Sequence, residues 1–208
     1  MDEYLTVRNQ NSAVLIEKHS RFIGTCAPVK SRAEADEFVA SIRKNYPDAT
    51  HNVYAYAVRE NNYRKYSDDG EPSGTSGMPT LNVILSNKVT DCAIVVTRYF
   101  GGILLGTGGL VHAYSATAKL ALESAGIIKM AVCDIYSVVF DYNFYQRFLT
   151  LLENQNAVCI SSDFGEQVTC GISIRHELSE NFKAALTEQS CGKVILNFVK
   201  SEFCEVKN

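Results

Sequence analysis

The amino-acid sequence predicts an α+β protein of two domains, and three observations carry that prediction. The chain has 208 residues, more than the roughly 100–150 of a typical single domain and enough for two compact cores. Residues 131–208 read as β-α-β-β-α-β, the order of a ferredoxin-like fold. Residues 1–130 instead set apolar and alternating runs between segments of helical period. Hydrophobic residues make up 46% of the chain and charged residues 21%, which excludes disordered, collagen-like and coiled-coil classes.

In chain order, Ser12–Glu17 and Ser20–Val29 read as two strands of a hairpin. Ser31 and Glu34 have capping-box spacing, and Ala35, Phe38, Val39 and Ile42 follow at i, i+3, i+4 and i+7, so a helix starts at Ser31 and closes before Pro47. Asn52–Val58 alternates as a sheet strand does. A polar loop is expected from Arg59 to Met78, then a short helix over Pro79–Leu85. Cys92–Phe100 is apolar enough for a strand buried on both faces. A glycine-rich turn, Gly101–Gly109, leads into a helix over Leu110–Ala125, with Gly126 in the C′ position. The second domain is expected as strand Ile135–Tyr142, helix Phe144–Gln155, strands Ala157–Ser161 and Glu166–Arg175, helix Glu180–Ser190 and strand Lys193–Val199. Asn143 with Gln146 reads as a capping box for its first helix and Ser179 as the N-cap of its second, which ends at Gly192. The joint is placed at Ile128–Asp134, giving domains 1–130 and 131–208.

Charge and composition narrow the function. The net charge is −3; residues 1–130 carry 14 basic against 13 acidic side chains and residues 131–208 carry 6 against 10. A surface coated with phosphate-binding charge is thereby excluded, and any nucleic-acid contact is local. The longest apolar runs fall far below the roughly 18 residues of a membrane span, and Met1–Gln10 is no signal segment, so a cytoplasmic protein without membrane association is expected. The seven cysteines form no C-x-x-C pair and read as reduced core thiols. The histidines show no ligand spacing, so no transition metal is expected. No G-x-S-x-G elbow is present, and no cysteine stands next to a histidine in sequence, so nucleophilic catalysis has no support.

Two stretches carry chemistry. The loop Ser67–Pro79 holds Asp68, Asp69 and Glu71 among glycines, prolines and hydroxyls. Pro72 biases Glu71 toward an extended backbone, so Asp69 and Glu71 are expected on one side and Asp68 on the other. Such a pair suits a magnesium ion or a general base, with Ser73, Thr75 and Ser76 bonding phosphate or capping the next helix; an Asx-turn with an N-cap accounts for the same residue types. The turn Gly101–Gly109 leaves a buried strand and enters a helix, a place where backbone N–H groups and the helix dipole meet an anion. It lacks the Walker lysine, since Thr107 stands there, and it lacks the third glycine of a dinucleotide turn. Tight-turn and packing needs explain its glycines equally well. Arg98, ending the apolar strand, requires an anion, either the acidic loop or a ligand. The candidate anion site is therefore Arg98, Gly101, Gly102, Gly106, Thr107, Gly108, Gly109 and His112, with the acidic loop Asp68, Asp69, Glu71, Ser73 and Thr75 as its neighbour.

Residues 20–24 (SRFIG), 48–58 (DATHNVYAYAV), 67–79 (SDDGEPSGTSGMP) and 95–122 (VVTRYFGGILLGTGGLVHAYSATAKLAL) together resemble the IMPACT/YigZ family. The resemblance covers roughly residues 1–130 as an Impact N-terminal-type domain, and the remainder resembles the ferredoxin-like C-terminal domain of bacterial members. It implies an N-terminal α/β sandwich like domain 2 of a small-subunit ribosomal protein, and a C-terminal domain like the ferredoxin-like domains of elongation factor G. Where the family reads Gly-Leu-Val-Arg-Ala-Tyr, this chain has His112 in place of the arginine, which weakens an anion site there or makes it pH-dependent. Eukaryotic members are linked to translational control through a protein-kinase activator, but they carry a different second domain. For the bacterial type the resemblance implies nucleic-acid or ribosome binding without a settled enzymatic activity.

Three readings result. In the first, the protein is a non-enzymatic RNA or ribosome binder with a role in translation or its regulation, using Arg98, the glycine turn and His112 on backbone phosphate, flanked by Arg64 and Lys65. In the second it is an enzyme for a phosphorylated or anionic small molecule, with Asp69 and Glu71 as metal ligands or general base. In the third, Arg98 pairs with the acidic loop and seals the domain.

Overall fold

The computed structural model describes residues 3–206 and divides into two compact units, one of Tyr4–Lys129 and the other of Glu3 with residues 130–206. The architecture is α+β, with five α-helices and two sheets among the described residues.

In the first unit, β1 (Glu3–Val7) runs beside Val89–Thr90, where the Thr90 amide donates to Leu5 O at 2.9 Å. The main sheet holds β2 (Asn11–Glu17), β3 (Ser20–Pro28), β4 (His51–Val58), β5 (Tyr63–Ser67) and β6 (Cys92–Tyr99), ordered β2-β3-β6-β4-β5 with every neighbour antiparallel. Lys18 and His19, both at positive φ, make the two-residue turn joining β2 to β3. The alternation of β6 sorts its side chains between two cores. Cys92, Ile94 and Val96 pack with α2 (Gly77–Ser86) and α3 (Gly106–Ala125), while Ala93 and Val95 pack with α1 (Arg32–Asn45). The strand is thus buried on both faces, as its unbroken apolar run implies. Ser31 caps α1 by accepting from the Glu34 amide at 3.2 Å; Glu34 in turn accepts from the Lys30 amide at 2.7 Å, one residue before the expected partner.

The second unit follows the β-α-β-β-α-β order with β7 (Ile127–Phe140), α4 (Tyr145–Asn154), β8 (Val158–Phe164), β9 (Val168–Arg175), α5 (Ser179–Gln189) and β10 (Ile195–Val206). Its strands pair β10-β7-β9-β8, the ferredoxin-like arrangement, in a five-stranded sheet that β1 joins at β7. Alternate residues of β7 and β9, such as Val138, Phe140, Cys170 and Ile172, bury against Phe148, Leu151 and Phe182 of the helices.

Several expectations are corrected. Arg59–Met78 is not one loop: Tyr63–Ser67 forms β5 on β4, an edge strand whose polar, half-exposed residues mask its alternation. Helix α3 begins at Gly106, four residues before Leu110, because its first turn is glycine-rich and lacks an apolar face to read. The division between the two units, at Lys129 and Met130, falls inside the expected joint at residues 128–134, which is part of strand β7 rather than loop. Asn143 lies inside a single 3₁₀ turn, Tyr142–Phe144, and does not cap α4. Ser179 is the first residue of α5, and its hydroxyl bonds the Tyr136 hydroxyl at 2.6 Å instead of capping. All seven cysteines are free, but Cys191 is exposed and Cys159 and Cys204 are half-buried, outside the core positions expected.

Candidate functional site

Where β6 ends and α3 begins, the first unit has a cleft of about 420 Å³. Its polar wall is Thr50, His51, Glu71 and Arg98; the opposite wall is Gly106 and Thr107 at the start of α3; Pro72, Phe100, Leu104, Leu105 and Leu110 supply apolar surface. Strand register explains the polar wall. His51 of β4 sits opposite Arg98 of β6, two residues beyond the core pair Val53–Val96 and on the same face, so the polar pair continues the apolar row at the sheet's end.

Arg98 is 5% exposed and Glu71 8%. The Arg98 Nη1 donates to Glu71 Oε1 at 2.6 Å, and the Tyr114 hydroxyl donates to the same oxygen at 2.8 Å. Burial, and then the Glu71 carboxylate, push the Tyr114 phenol well above its ordinary pKa, so it stays a donor. Arg98 Nη2 reaches only the Ser20 hydroxyl, at 3.4 Å, and Arg98 Nε is buried with no acceptor. A guanidinium N–H without a partner is an unusual deficit in a buried position. His51 donates from Nδ1 to Asp69 O at 2.8 Å, which leaves Nε2 facing Glu71 Oε1 at 3.8 Å.

The glycines divide by role. A Cβ on Gly101 would lie 2.0 Å from the His19 carbonyl carbon, so only glycine lets the bend pass that backbone. Gly106 takes φ +75° as α3 opens. The amides of Gly106, Thr107 and Gly108 lie ahead of the first intrahelical carbonyl, and no side chain caps them. The dipole of a 20-residue helix adds positive potential at this end.

The acidic loop is put to a different use. Asp68 turns inward: its Oδ1 accepts from the Ser76 amide (3.1 Å), the Ser76 hydroxyl (2.7 Å) and the Gly77 amide (2.8 Å), and its Oδ2 from the Gly74 amide (2.9 Å). It therefore caps α2, the task expected of Ser73, Thr75 or Ser76. Thr75 instead donates to Pro72 O at 2.6 Å. Asp69, at φ +46°, breaks the extended run assumed for residues 69–71. Its carboxylate pairs with Arg43 of α1 and accepts from the Asn52 amide at 2.7 Å, whereas Glu71 turns to Arg98 and Tyr114. The two carboxylates do not form one face, and both are engaged by protein donors. Among the described residues no group of three or more His, Cys, Asp and Glu side chains is placed to hold a metal ion.

Of the candidate residues, Arg98, Glu71, Gly106 and Thr107 meet in the cleft, with Gly108 in the same opening turn of α3. Gly101 and Gly102 shape the bend, and Asp68, Asp69, Ser73 and Thr75 lie outside the lining. His112 is exposed on α3 and does not line the cleft. Arg64 and Lys65 sit on β5, with Lys65 paired to Asp36 at 3.0 Å. Sequence reasoning missed His51, Tyr114 and Ser20. Tyr114 reads as core from its helical spacing, and His51 could be found only from its register opposite Arg98.

No helix among the described residues is long and apolar enough to cross a membrane. The model of the Impact N-terminal domain matches residues 18–122, and that of a domain of unknown function, DUF1949, matches residues 138–193. The chain is 34% identical to the IMPACT family member YvyE of Bacillus subtilis (strain 168), over 93% of this chain and 89% of that one. It is 34% identical to the IMPACT family member YigZ of Escherichia coli (strain K12), over 86% and 89%. A crystal structure described only as that of a hypothetical protein superposes with a TM-score of 0.61 at 32% identity, covering 97% of this chain and all of the other. Two matched domains and relatives aligned over most of both lengths lead to one statement of kinship: this chain belongs to the IMPACT family.

Proposed function

We propose that the first unit binds RNA, including RNA of the ribosome, by holding phosphate in the cleft between Arg98 and the start of α3, and that the protein serves translation or its regulation in the cytoplasm without catalysing a reaction. The observation that supports this reading is the pairing of an uncapped helix N-terminus with a buried guanidinium whose Nε has no acceptor. Either feature alone is common; here the uncapped first turn of α3 and a buried cation border the same cleft. The exposed Phe100 beside them offers a ring on which a base stacks.

Residues 1–130 are nearly neutral, so few phosphates are neutralised. Binding to single-stranded RNA is expected on the order of micromolar at low salt, with log K falling at a slope of about −1 to −2 against log salt, as for one to three phosphate contacts. A filter-binding titration checks this, and no retention of RNA at low salt removes the reading.

A second reading, turnover of a phosphorylated small molecule, draws on His51, whose Nε2 faces the cleft wall while Nδ1 is fixed by Asp69 O. In that reading His51 takes the general-base role considered for Asp69 or Glu71. Turnover of nucleotides or phosphate esters that His51→Gln abolishes would establish it over simple binding.

A further inference from the structure

Building on the RNA reading, we propose that the cleft takes one unpaired guanine, edge-on to Glu71 and His51. Glu71 carries the argument. Its side chain is 4% exposed, and both of its hydrogen-bond donors, Arg98 Nη1 at 2.6 Å and the Tyr114 hydroxyl at 2.8 Å, go to Oε1. Among the described residues no group donates to Oε2, and Arg98 Nε alone is a side-chain nitrogen or oxygen sealed without a partner, so Oε2 is open to the cleft that Glu71 lines. A buried carboxylate oxygen left bare is costly, and a ligand that donates to it removes the cost. His51 adds a second acceptor. Its Nδ1 gives its hydrogen to Asp69 O, so in the neutral ring Nε2 is a bare acceptor on the same wall, 3.8 Å from Glu71 Oε1.

Two acceptors side by side select a ligand by its donors. Guanine is the base whose pairing edge sets two N–H donors next to each other, N1–H and the N2 amine. Adenine and cytosine place a ring-nitrogen acceptor beside their amine, which meets a carboxylate lone pair to lone pair, and uracil has a single N–H between two carbonyls. The Thr50 hydroxyl, which accepts from the Phe100 amide at 3.1 Å, keeps its hydrogen for guanine O6. The remaining walls suit a flat ring. Pro72, Leu105 and Leu110 are apolar, and the exposed Phe100 offers its face for stacking. A volume of about 420 Å³ admits a base. Arg98 balances the charge of Glu71, so the strand's phosphates meet no net negative floor and recognition falls to hydrogen bonds. Two sources offer this chemistry, a guanine in an RNA strand and a free guanine nucleotide.

The test is calorimetric titration of the full chain at low salt with uridine hexamers carrying one central guanine, hypoxanthine or adenine, with the all-uridine hexamer, and with guanosine 5′-monophosphate. The guanine strand should bind about tenfold more tightly than each of the other strands, the loss expected for one unmade hydrogen bond to a charged acceptor. Hypoxanthine lacks only the N2 amine and isolates that contact. His51→Ala should shrink the guanine preference to about twofold or less, whereas a uniform loss of affinity that keeps the ratio counts against the assignment. Equal affinity for the guanine and hypoxanthine strands overturns the paired-acceptor geometry. Strands bound equally whatever their central base, with no binding of guanosine 5′-monophosphate, overturn the guanine assignment and leave the RNA reading standing. Binding of guanosine 5′-monophosphate with no strand bound sustains the guanine assignment and removes the RNA reading, and no binding of any of these ligands overturns both.

Discussion

Two helices of the first unit begin within reach of the same loop, and their N-termini are treated in opposite ways. At α2 the Asp68 carboxylate gathers the Ser76 and Gly77 amides, the Ser76 hydroxyl and the Gly74 amide. At α3 no side chain caps the helix, and Gly106 and Thr107 of its first turn line a cleft floored by Arg98. Both ends carry the same dipole and the same unsatisfied donors. The chain thus supplies its own anion at α2 and caps α3 with no side chain, beside a buried cation. This contrast separates an acidic loop spent on capping and pairing from a glycine turn whose first amides no side chain caps, a distinction that residue types alone do not make.

The contrast can be broken at four points, taken in decreasing order of effect. Arg98→Ala leaves Glu71 buried with only Tyr114 as donor, and should cost about 4 kcal/mol in denaturant unfolding, the usual penalty for stranding one member of a buried pair. Gly101→Ala drives a methyl into the His19 backbone and should cost about 3 kcal/mol, because neither backbone can yield; a small loss would show that the bend tolerates rearrangement.

Asp68→Ala removes the α2 cap and should cost about 2 kcal/mol. Its signature is pH dependence. Burial pushes the Asp68 carboxyl up, but the Gly74 and Gly77 amides and both donors of Ser76 outweigh it, so the folded-state pKa lies below the ordinary value. The cap therefore contributes in full above the unfolded value of about 3.9 and is lost as the pH falls through the lower folded value. Wild type and the Asp68→Asn variant should converge in stability in strong acid and diverge near neutrality; a pH-independent difference would contradict the capping role.

Thr107→Glu is the smallest change in stability and the sharpest in function. An exposed carboxylate in the first turn of α3 should raise stability by about 0.5 kcal/mol through the dipole, while occupying the anion's place and removing RNA binding. Thermal melting and a binding titration on one sample check both signs at once.

Much of the fold is legible in the sequence because its signals are local. The Ser31 cap, the doubly buried run of β6, and the terminal Gly126 and Gly192 each declare themselves within a few residues. Elements that depend on distant partners do not. β5 is a strand only because β4 offers an edge, and α3 starts early because glycines at 106, 108 and 109 are pulled into a helix that Leu110 and Tyr114 anchor in the core. The site was legible in half. Arg98, Glu71 and the glycine turn stand out by charge and composition, but the partition of three adjacent acids among α2, Arg43 and Arg98 is decided by the reversed backbone at Asp69 and Gly70, which no periodicity reports. His112 looked apt by its place after the glycines, yet helical rotation turns it to solvent.

The central claim, that the open start of α3 is an anion receptor, is tested most directly by titrating inorganic phosphate and adenosine 5′-monophosphate into isotopically labelled protein and following each backbone amide and the Arg98 Nε–H by NMR. The account predicts saturable shifts centred on Gly106, Thr107, Gly108 and Arg98 Nε, with the amides of Ser76 and Gly77 at the capped end of α2 unmoved. Shifts that avoid the α3 N-terminus, or that appear equally at both helix ends, would contradict it.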